Sequence, residues 1–237
     1  MVITVALTFS IIMSSVLKAP FTCIVAGPSG CGKTELTLRF VENIHSMVHP
    51  MPARVVWCFG IYQKKFDSFR KFVEFHEGLP STIDSIKPNT LLIIDDLMAE
   101  AGDQVMSIFT KGSHHKNISC FFLTQNLYFA GKHNRTMNLN CHYMFLFKNP
   151  RDQTQIQVLS RQMFPQAAKY LEEAFRDATS TGGQREKFYS YLFVDLKSDT
   201  EDHLRLRTRI FPDDFPNHFV YVPNNSHNLV NGSMSFY

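Results

Sequence analysis

The chain has 237 residues, of which 44% are hydrophobic, so it is long and apolar enough to form one α/β domain with a buried core. Its net charge of +3 permits contact with nucleic acid but lacks the strong basic excess of a dedicated DNA-binding domain. The five cysteines form no C-x-x-C pair, which argues against a disulfide framework and predicts reduced thiols in an intracellular compartment.

The first 17 residues are apolar and carry no charge. They lack the positive n-region of a secretory signal and are marginal in length for a membrane span. We therefore expect an N-terminal extension, either an extra edge strand or a poorly packed start, and no stable membrane partner. The main domain is predicted at residues 18–211. Residues 212–237, rich in Pro, Asn, Ser and His, are predicted to be a mostly disordered tail.

A phosphate-binding pattern follows the first predicted strand. The apolar run at residues 21–26 predicts a buried strand, and helical spacing of apolar residues at 35–48 predicts a helix. Between them the chain has the P-loop or Walker A pattern, G-x-x-x-x-G-K-T, formed by Gly27, Pro28, Ser29, Gly30, Cys31, Gly32, Lys33 and Thr34. Glycines let the backbone N–H groups face a phosphate, Lys33 reaches the β- and γ-phosphates, and the Thr34 hydroxyl is placed to ligate Mg²⁺. The expected ligands are ATP and Mg²⁺.

An acidic pair follows a later predicted strand. Residues 54–59 are predicted to be a second buried strand, and residues 66–76 a helix with one apolar face. Residues 90–96 contain four aliphatic residues followed by two acids, the Walker B pattern. Asp95 would hold Mg²⁺, and Asp96 would polarise the attacking water. A capping Asp at the start of a helix is the alternative, but the upstream P-loop favours the catalytic interpretation.

A polar amide ends the next predicted strand. Residues 102–111 are predicted to be helical, and residues 118–124 to form a strand that terminates at Gln125. An amide placed there can hydrogen-bond both a γ-phosphate and the attacking water, so Gln125 is the expected sensor. A further core strand is predicted at residues 143–147, followed by a turn in which Asp152 is a helix cap.

The last third of the chain is predicted to contain helices from about residue 156 to 163 and at 166–178, and strands at 189–195 and 205–211. In the final strand Arg205, Arg207 and Arg209 alternate with other residues, so one face would carry all three. That face is either a DNA-contacting surface or the solvated face of an edge strand, and the sequence does not decide between them.

The ordered set of motifs resembles the FtsK–HerA superfamily of DNA-pumping ATPases, and within it the genome-packaging ATPases of poxvirus-like, Polinton and adintovirus-like elements. The resemblance spans most of residues 21–211 and is carried by the P-loop and by residues 92–98, 122–126, 135–143 and 147–152. The superfamily often has Glu after the Walker B Asp, whereas this chain has Asp96, which is one methylene shorter, at that position.

The resemblance implies a P-loop NTPase fold, in which helices flank a mostly parallel central sheet and the P-loop strand lies beside the sensor strand. It also implies a homo-oligomeric ring that moves double-stranded DNA into a capsid at the expense of ATP, with capsid proteins as further partners. The expected location is the cytoplasm or nucleus of an infected host cell, or the virion.

A neighbouring subunit often supplies an arginine finger to P-loop ATPases, because the transition state spreads negative charge over the γ-phosphoryl oxygens. No arginine lies within the Walker A or B segments. Arg135, in the long segment after the sensor strand, is the first candidate, and Arg151, after the next strand, is the second. Helix capping or pairing with an acid such as Asp152 is the alternative role for both.

Two other functions stay open at this point. A P-loop nucleoside or nucleotide kinase would need an acceptor site and an arginine-rich lid, and would not need a sensor at Gln125. An inactive, nucleotide-binding remnant of a viral element is the second alternative, although the intact Lys33, Thr34 and Asp95 argue against it.

Overall fold

A computed structural model describes residues 2–6, 17–97, 102–112, 116–128, 134–180, 190–214 and 217–223, with only the backbone described at 2–6, 83 and 134. Within these residues, ten strands form one sheet in the order β1-β12-β11-β10-β9-β3-β8-β7-β5-β6, and β2 pairs with β4 separately. The strands are Val2–Ala6 (β1), Leu17–Lys18 (β2), Thr22–Ala26 (β3), Val48–His49 (β4), Arg54–Phe59 (β5), Glu74–Glu77 (β6), Thr90–Asp95 (β7), Ser119–Thr124 (β8), Tyr143–Phe147 (β9), Tyr191–Asp195 (β10), Leu206–Thr208 (β11) and Phe219–Pro223 (β12).

The sheet has a parallel half and an antiparallel half. The strands from β9 to β6 in this order run parallel, and those from β10 to β1 continue the sheet antiparallel. The central strands are continuous apolar runs because both of their faces are covered: residues 91–94 of β7 are all 0% exposed. The predicted α/β class is confirmed, as is the position of the P-loop strand β3 beside the sensor strand β8. The predicted mostly parallel arrangement holds for the strands from β9 to β6, and the sheet is mixed because the strands from β10 to β1 add an antiparallel part.

Helices cover both faces of the sheet. Their bounds are Lys33–Glu42 (α1), Ile44–Met47 (α2), Asp103–Ser107 (α3, continued by a π-helical turn over Ile108–Gly112), Asn134–Leu139 (α4), Thr154–Met163 (α5) and Ala168–Ala178 (α6). Strand side chains alternate between the faces, so Cys23 and Val25 of β3 pack with α1, whereas Ile24 and Ala26 pack with α3 to α6. None of the helices in the described part of the chain has the length and apolar character needed to cross a membrane.

The helix predicted at residues 66–76 is wrong. A 3₁₀ turn covers Lys64–Phe69, and the chain then extends into β6, which pairs in parallel with β5. Phe75 lies opposite Trp57 in that pairing and stacks on Phe66 with ring centroids 4.8 Å apart. The aromatic residues therefore satisfy a helical spacing while belonging to two different elements that share one apolar cluster.

The tail predicted from residue 212 is wrong as far as residue 223. Strand β12 pairs with both β11 and β1, and its residues Val220 and Tyr221 are buried. The Tyr170 hydroxyl donates a hydrogen bond to the Tyr221 carbonyl at 2.6 Å, which fastens this strand to α6. Strand β1 corresponds to the edge-strand alternative for the N-terminal extension. Residues 7–16 and 224–237 lie outside the described residues.

The arginine face predicted for residues 205–211 is also wrong, because β11 spans only three residues. The Arg207 side chain is 2% exposed and donates to Asp195 Oδ2 at 2.6 Å. Arg205 donates to Asp202 and to the Lys197 carbonyl, and Arg209 has a left-handed backbone, with φ of 54°. An arginine paired inside the protein is not available to DNA, so the three do not form a shared contact surface.

Candidate nucleotide-binding site

A cavity of about 400 Å³ lies where the parallel strands end. The carboxyl ends of β3, β5, β7 and β8 meet at one edge of the sheet, because parallel strands point their ends in the same direction. The P-loop contributes Ser29, Gly30 and residues 32–34 to the lining, and Glu35 follows it. The ends of β7 and β8 contribute Asp95, Asp96 and Gln125. The segment after β5 adds Gln63 and Lys65.

The P-loop backbone depends on glycine at two positions. Gly30 has φ of 73° and Gly32 has φ of 109°, a left-handed region that glycine adopts without steric cost. Gly32 is the N-cap of α1, and its carbonyl accepts the Leu36 N–H at 2.9 Å. The first turn of α1 therefore directs its positive dipole end at the cavity, which suits an anionic phosphate.

Five of the eight P-loop residues line the cavity, and Gly27, Pro28 and Cys31 do not. Lys33 lines the cavity, and its Nζ donates to the Gly27 carbonyl at 2.7 Å and to the Pro28 carbonyl at 3.1 Å. The Gly27 N–H bonds the Thr124 carbonyl at 3.1 Å, which ties the start of the loop to the end of β8. Cys31 closes a turn by donating its N–H to the Pro28 carbonyl at 3.3 Å. Gly27, Pro28 and Cys31 therefore hold the loop in shape through their backbone groups and do not line the cavity.

The two predicted magnesium ligands meet at the cavity. Thr34 Oγ1 donates to Asp95 Oδ2 at 3.3 Å. Burial raises the pKa of Asp95 to about 6, against the opposing effects of the Thr34 hydroxyl and the Lys33 ammonium. A hydroxyl and a carboxylate are hard oxygen donors of the kind Mg²⁺ prefers, so this pair fits the ion. Among the described residues no group of three or more His, Cys, Asp or Glu could hold a metal. Mg²⁺ is usually bound by one or two carboxylates together with substrate phosphates and waters.

The predicted base and sensor also lie together. Gln125 Nε2 donates to Asp96 Oδ1 at 3.4 Å, and both side chains are exposed to the cavity. Asp96 has φ of 56°, a conformation that Asp tolerates better than most residues. The Thr124 hydroxyl donates to the Asn126 carbonyl at 3.0 Å and closes the turn that carries Gln125. The strand ends thus bring the acid and the amide to one side of the cavity.

Sequence reasoning missed a buried amide that supports this turn. Gln155 in α5 is 9% exposed, and its Oε1 accepts the Leu127 N–H at 2.7 Å. Its Nε2 donates to Asp152 Oδ2 at 2.7 Å and to Asn126 Oδ1 at 3.4 Å. Gln155 therefore joins the segment after β8 to the turn after β9. A glutamine in the first turn of an otherwise amphipathic helix was the one local signal for it.

The two arginine candidates lie outside the lining of the cavity. Arg151 is exposed in the turn after β9, where its N–H donates to Asn149 Oδ1 at 3.1 Å. Arg135 is exposed in helix α4 rather than in a loop. Asp152, expected as a cap, accepts the Thr154 N–H at 3.1 Å at the start of α5.

Comparisons with known proteins give structural matches alone: no protein-family model matches, and no curated protein is significantly similar in sequence. The genome packaging NTPase B204 from Sulfolobus turreted icosahedral virus 2, in complex with sulfate, is 15% identical with a TM-score of 0.48, covering 76% of this chain and 93% of that one. The same protein in complex with ATP-gammaS is 14% identical with a TM-score of 0.45, and the match covers 76% of this chain and 94% of that one. The Legionella pneumophila ATPase DotB is 12% identical with a TM-score of 0.37, and the match covers 59% of this chain and 43% of DotB.

Proposed function

We propose that this chain is a P-loop ATPase that drives movement of double-stranded DNA, as in packaging of a viral genome into a capsid. The ATPase part is carried by one observation: the Thr34 hydroxyl lies 3.3 Å from the Asp95 carboxylate in the cavity that Lys33, Asp96 and Gln125 also line. The DNA-moving part is supported by the resemblance of the sequence motifs to packaging ATPases.

The chain's own groups suit a nucleoside triphosphate as substrate. The first turn of α1 and the Lys33 ammonium would bind phosphate oxygens, because both present positive charge to the same cavity. Thr34 and Asp95 would hold Mg²⁺, which when bound neutralises charge on the β- and γ-phosphate oxygens.

Asp96 and Gln125 would position the attacking water. The amide can donate to a γ-phosphate oxygen and accept from the water, while the carboxylate polarises the water from the side. The water oxygen bonds to the γ-phosphorus and its proton passes to the Asp96 carboxylate, while the bond from phosphorus to the β–γ bridging oxygen breaks, so the products are ADP and phosphate. Catalysis in such a site comes from positioning and charge, so the hydrogen bonds that fix Gln125 matter for the rate.

A ring would complete the site with an arginine from the neighbouring subunit. Arg151 follows the carboxyl end of β9, the edge at which the P-loop lies, so we place it before Arg135 as the candidate. The test is subunit mixing. An Arg151→Ala chain should bind ATP without hydrolysing it, and adding a Lys33→Ala chain should restore partial activity, because some interfaces then combine an intact site with an intact arginine. If mixing never restores activity while both variants assemble, the arginine acts within its own subunit or lies elsewhere.

The experiment that tests the proposed function is ATP hydrolysis with and without long duplex DNA. We expect ADP and phosphate as products, faster turnover with DNA, and DNA affinity that is independent of sequence and falls steeply with salt. A phosphorylated nucleoside in place of free phosphate would identify a kinase. DNA affinity that depends on sequence but not on salt would contradict translocation.

A further inference from the structure

The cavity contains a lysine that the Walker motifs do not supply. Lys65 lies in the 3₁₀ turn after β5, and its Nζ lies 2.6 Å from Glu35 Oε1. Both side chains line the cavity beside Lys33. Burial is the main influence on the pKa of Asp95, and the positive charge of Lys65 is among those that lower it. The Lys65 ammonium therefore acts within the electrostatic environment of the proposed phosphate and metal ligands.

The turn that carries Lys65 is fixed, whereas its side chain can move. The neighbouring Phe66 is 0% exposed and packs on Trp57, with ring centroids 5.3 Å apart, and on Phe75. The Lys65 side chain is 32% exposed and that of Glu35 is 43% exposed, so their ion pair is open to water and holds the ammonium only weakly. A flexible stem on a rigid turn lets the ammonium move within the cavity while its backbone stays in place.

The charges of the cavity explain why a second lysine matters there. Among the described residues that line it, Lys33 and Lys65 are cations, and Glu35, Asp95 and Asp96 are acids. A triphosphate adds several negative charges to this set. Glu35 directly follows the proposed phosphate and metal ligands, so its carboxylate repels a bound phosphate unless a cation lies nearby.

We propose that Lys65 is a phosphate-binding residue of the site. When a nucleotide enters, the Lys65 ammonium breaks its ion pair with Glu35 and bonds a phosphate oxygen instead. The inference rests on the proposed function, because it requires a nucleoside triphosphate in this cavity. Before the nucleotide arrives, Glu35 holds the ammonium in the lining of the cavity. The segment after β5 becomes part of the nucleotide site together with the three motif segments.

Equilibrium binding of ATPγS with Mg²⁺, measured by calorimetry, tests the proposal. Lys65→Met keeps the length of the stem and removes the charge, and it should weaken binding roughly 10- to 100-fold, the range for a lost hydrogen bond to a charged group. Lys65→Arg should restore part of the affinity. Lys64→Met is the matched control: Lys64 is an exposed lysine in the same turn, outside the cavity lining, so its loss should leave affinity unchanged.

The Glu35→Gln background separates phosphate binding from simple neutralisation of Glu35. If Lys65 contacts phosphate, Lys65→Met weakens binding at least as much in that background as in the wild type. If Lys65 only neutralises Glu35, the substitution has no effect there, and the proposal is overturned. Thermal unfolding of each variant verifies that it is folded. A wild type that fails to bind ATPγS contradicts the proposed function itself, whereas a Lys65→Met chain that binds like a normal wild type contradicts only this inference.

Discussion

Gly27 is a position of the P-loop at which an added side chain would have no room. A Cβ at residue 27 would lie 2.6 Å from Phe147 Cβ and 2.7 Å from Cys31 Sγ. Carbon atoms in protein interiors pack about 3.5–4.0 Å apart, so the added methyl group would be about 1 Å too close to Phe147. Phe147 Cβ is bonded to the backbone of β9, which is held between β3 and β10. The loop rather than the strand must therefore move.

We expect Gly27→Ala to lower the free energy of unfolding by about 1–3 kcal/mol, the usual cost of forcing an extra methyl group into a packed site. For a chain of this length each kcal/mol corresponds to roughly 2–4 °C in Tm. The displaced loop would also misplace Lys33 and the N-terminus of α1. A shift of about 1 Å in positioning groups costs roughly 10²-fold in rate, so ATP hydrolysis should fall by that factor.

The assay is thermal unfolding together with ATP hydrolysis, with Gly60→Ala as the matched control. A Cβ at residue 60 would lie 3.4 Å from the Asp96 carbonyl oxygen and from Leu97 Cδ2, an ordinary contact, so this variant should behave like the wild type. Phe147→Ala retains the Cβ that clashes, and adding it to Gly27→Ala should restore neither stability nor activity. A Gly27→Ala chain that melts and hydrolyses ATP like Gly60→Ala would refute the packing of the loop against β9.

Three further predictions follow from the site and its supports. Asp96→Asn and Gln125→Ala should each lower the rate of ATP hydrolysis by about 10²-fold, while the affinity for ATPγS with Mg²⁺, measured by calorimetry, stays that of the wild type. Normal turnover in either variant would show that another group orients the water. Gln155→Leu should lower kcat with little change in KM. It should also lower the free energy of unfolding by roughly 1–3 kcal/mol, because it leaves the Leu127 N–H buried without its acceptor. An unchanged kcat would contradict the role of Gln155 in supporting the turn that carries Gln125. Arg207→Met should lower the free energy of unfolding, measured by chemical denaturation, by about 3–5 kcal/mol, because it removes the ion-pair partner of the buried Asp195 carboxylate. The salt dependence of DNA binding by the folded variant should match that of the wild type. A weaker salt dependence would show that Arg207 contacts DNA.

The parts of the site that the sequence predicted are local patterns at strand ends. The residues from Gly27 to Thr34 follow an apolar run, and Asp95 and Gln125 each follow another. Parallel strands bring such ends to one edge, so the meeting of these residues needs no knowledge of side-chain contacts. Local patterning was therefore sufficient for the motif residues and for the order of strand, loop and helix.

The parts that the sequence did not predict depend on pairs that are distant along the chain. Lys65 and Glu35 are 30 positions apart, and Gln155 bonds the sensor turn across a similar separation. An alternating basic strand normally predicts a solvated face, but one acid on the neighbouring strand, Asp195, pairs with Arg207 in the interior. Strand β12 was missed because Pro and Asn residues flank its short apolar run. In each case a tertiary contact overrode the local pattern.

The central claim is that this chain hydrolyses ATP at the P-loop, and the release of phosphate from ATP with Mg²⁺ by the wild type and by Lys33→Ala tests it most directly. The predicted result is turnover by the wild type and none by Lys33→Ala, with both proteins folded in thermal unfolding, because Lys33 lines a cavity rather than packing in the core. Equal turnover by the two proteins, or no phosphate release by a folded wild type with or without duplex DNA, would contradict the claim.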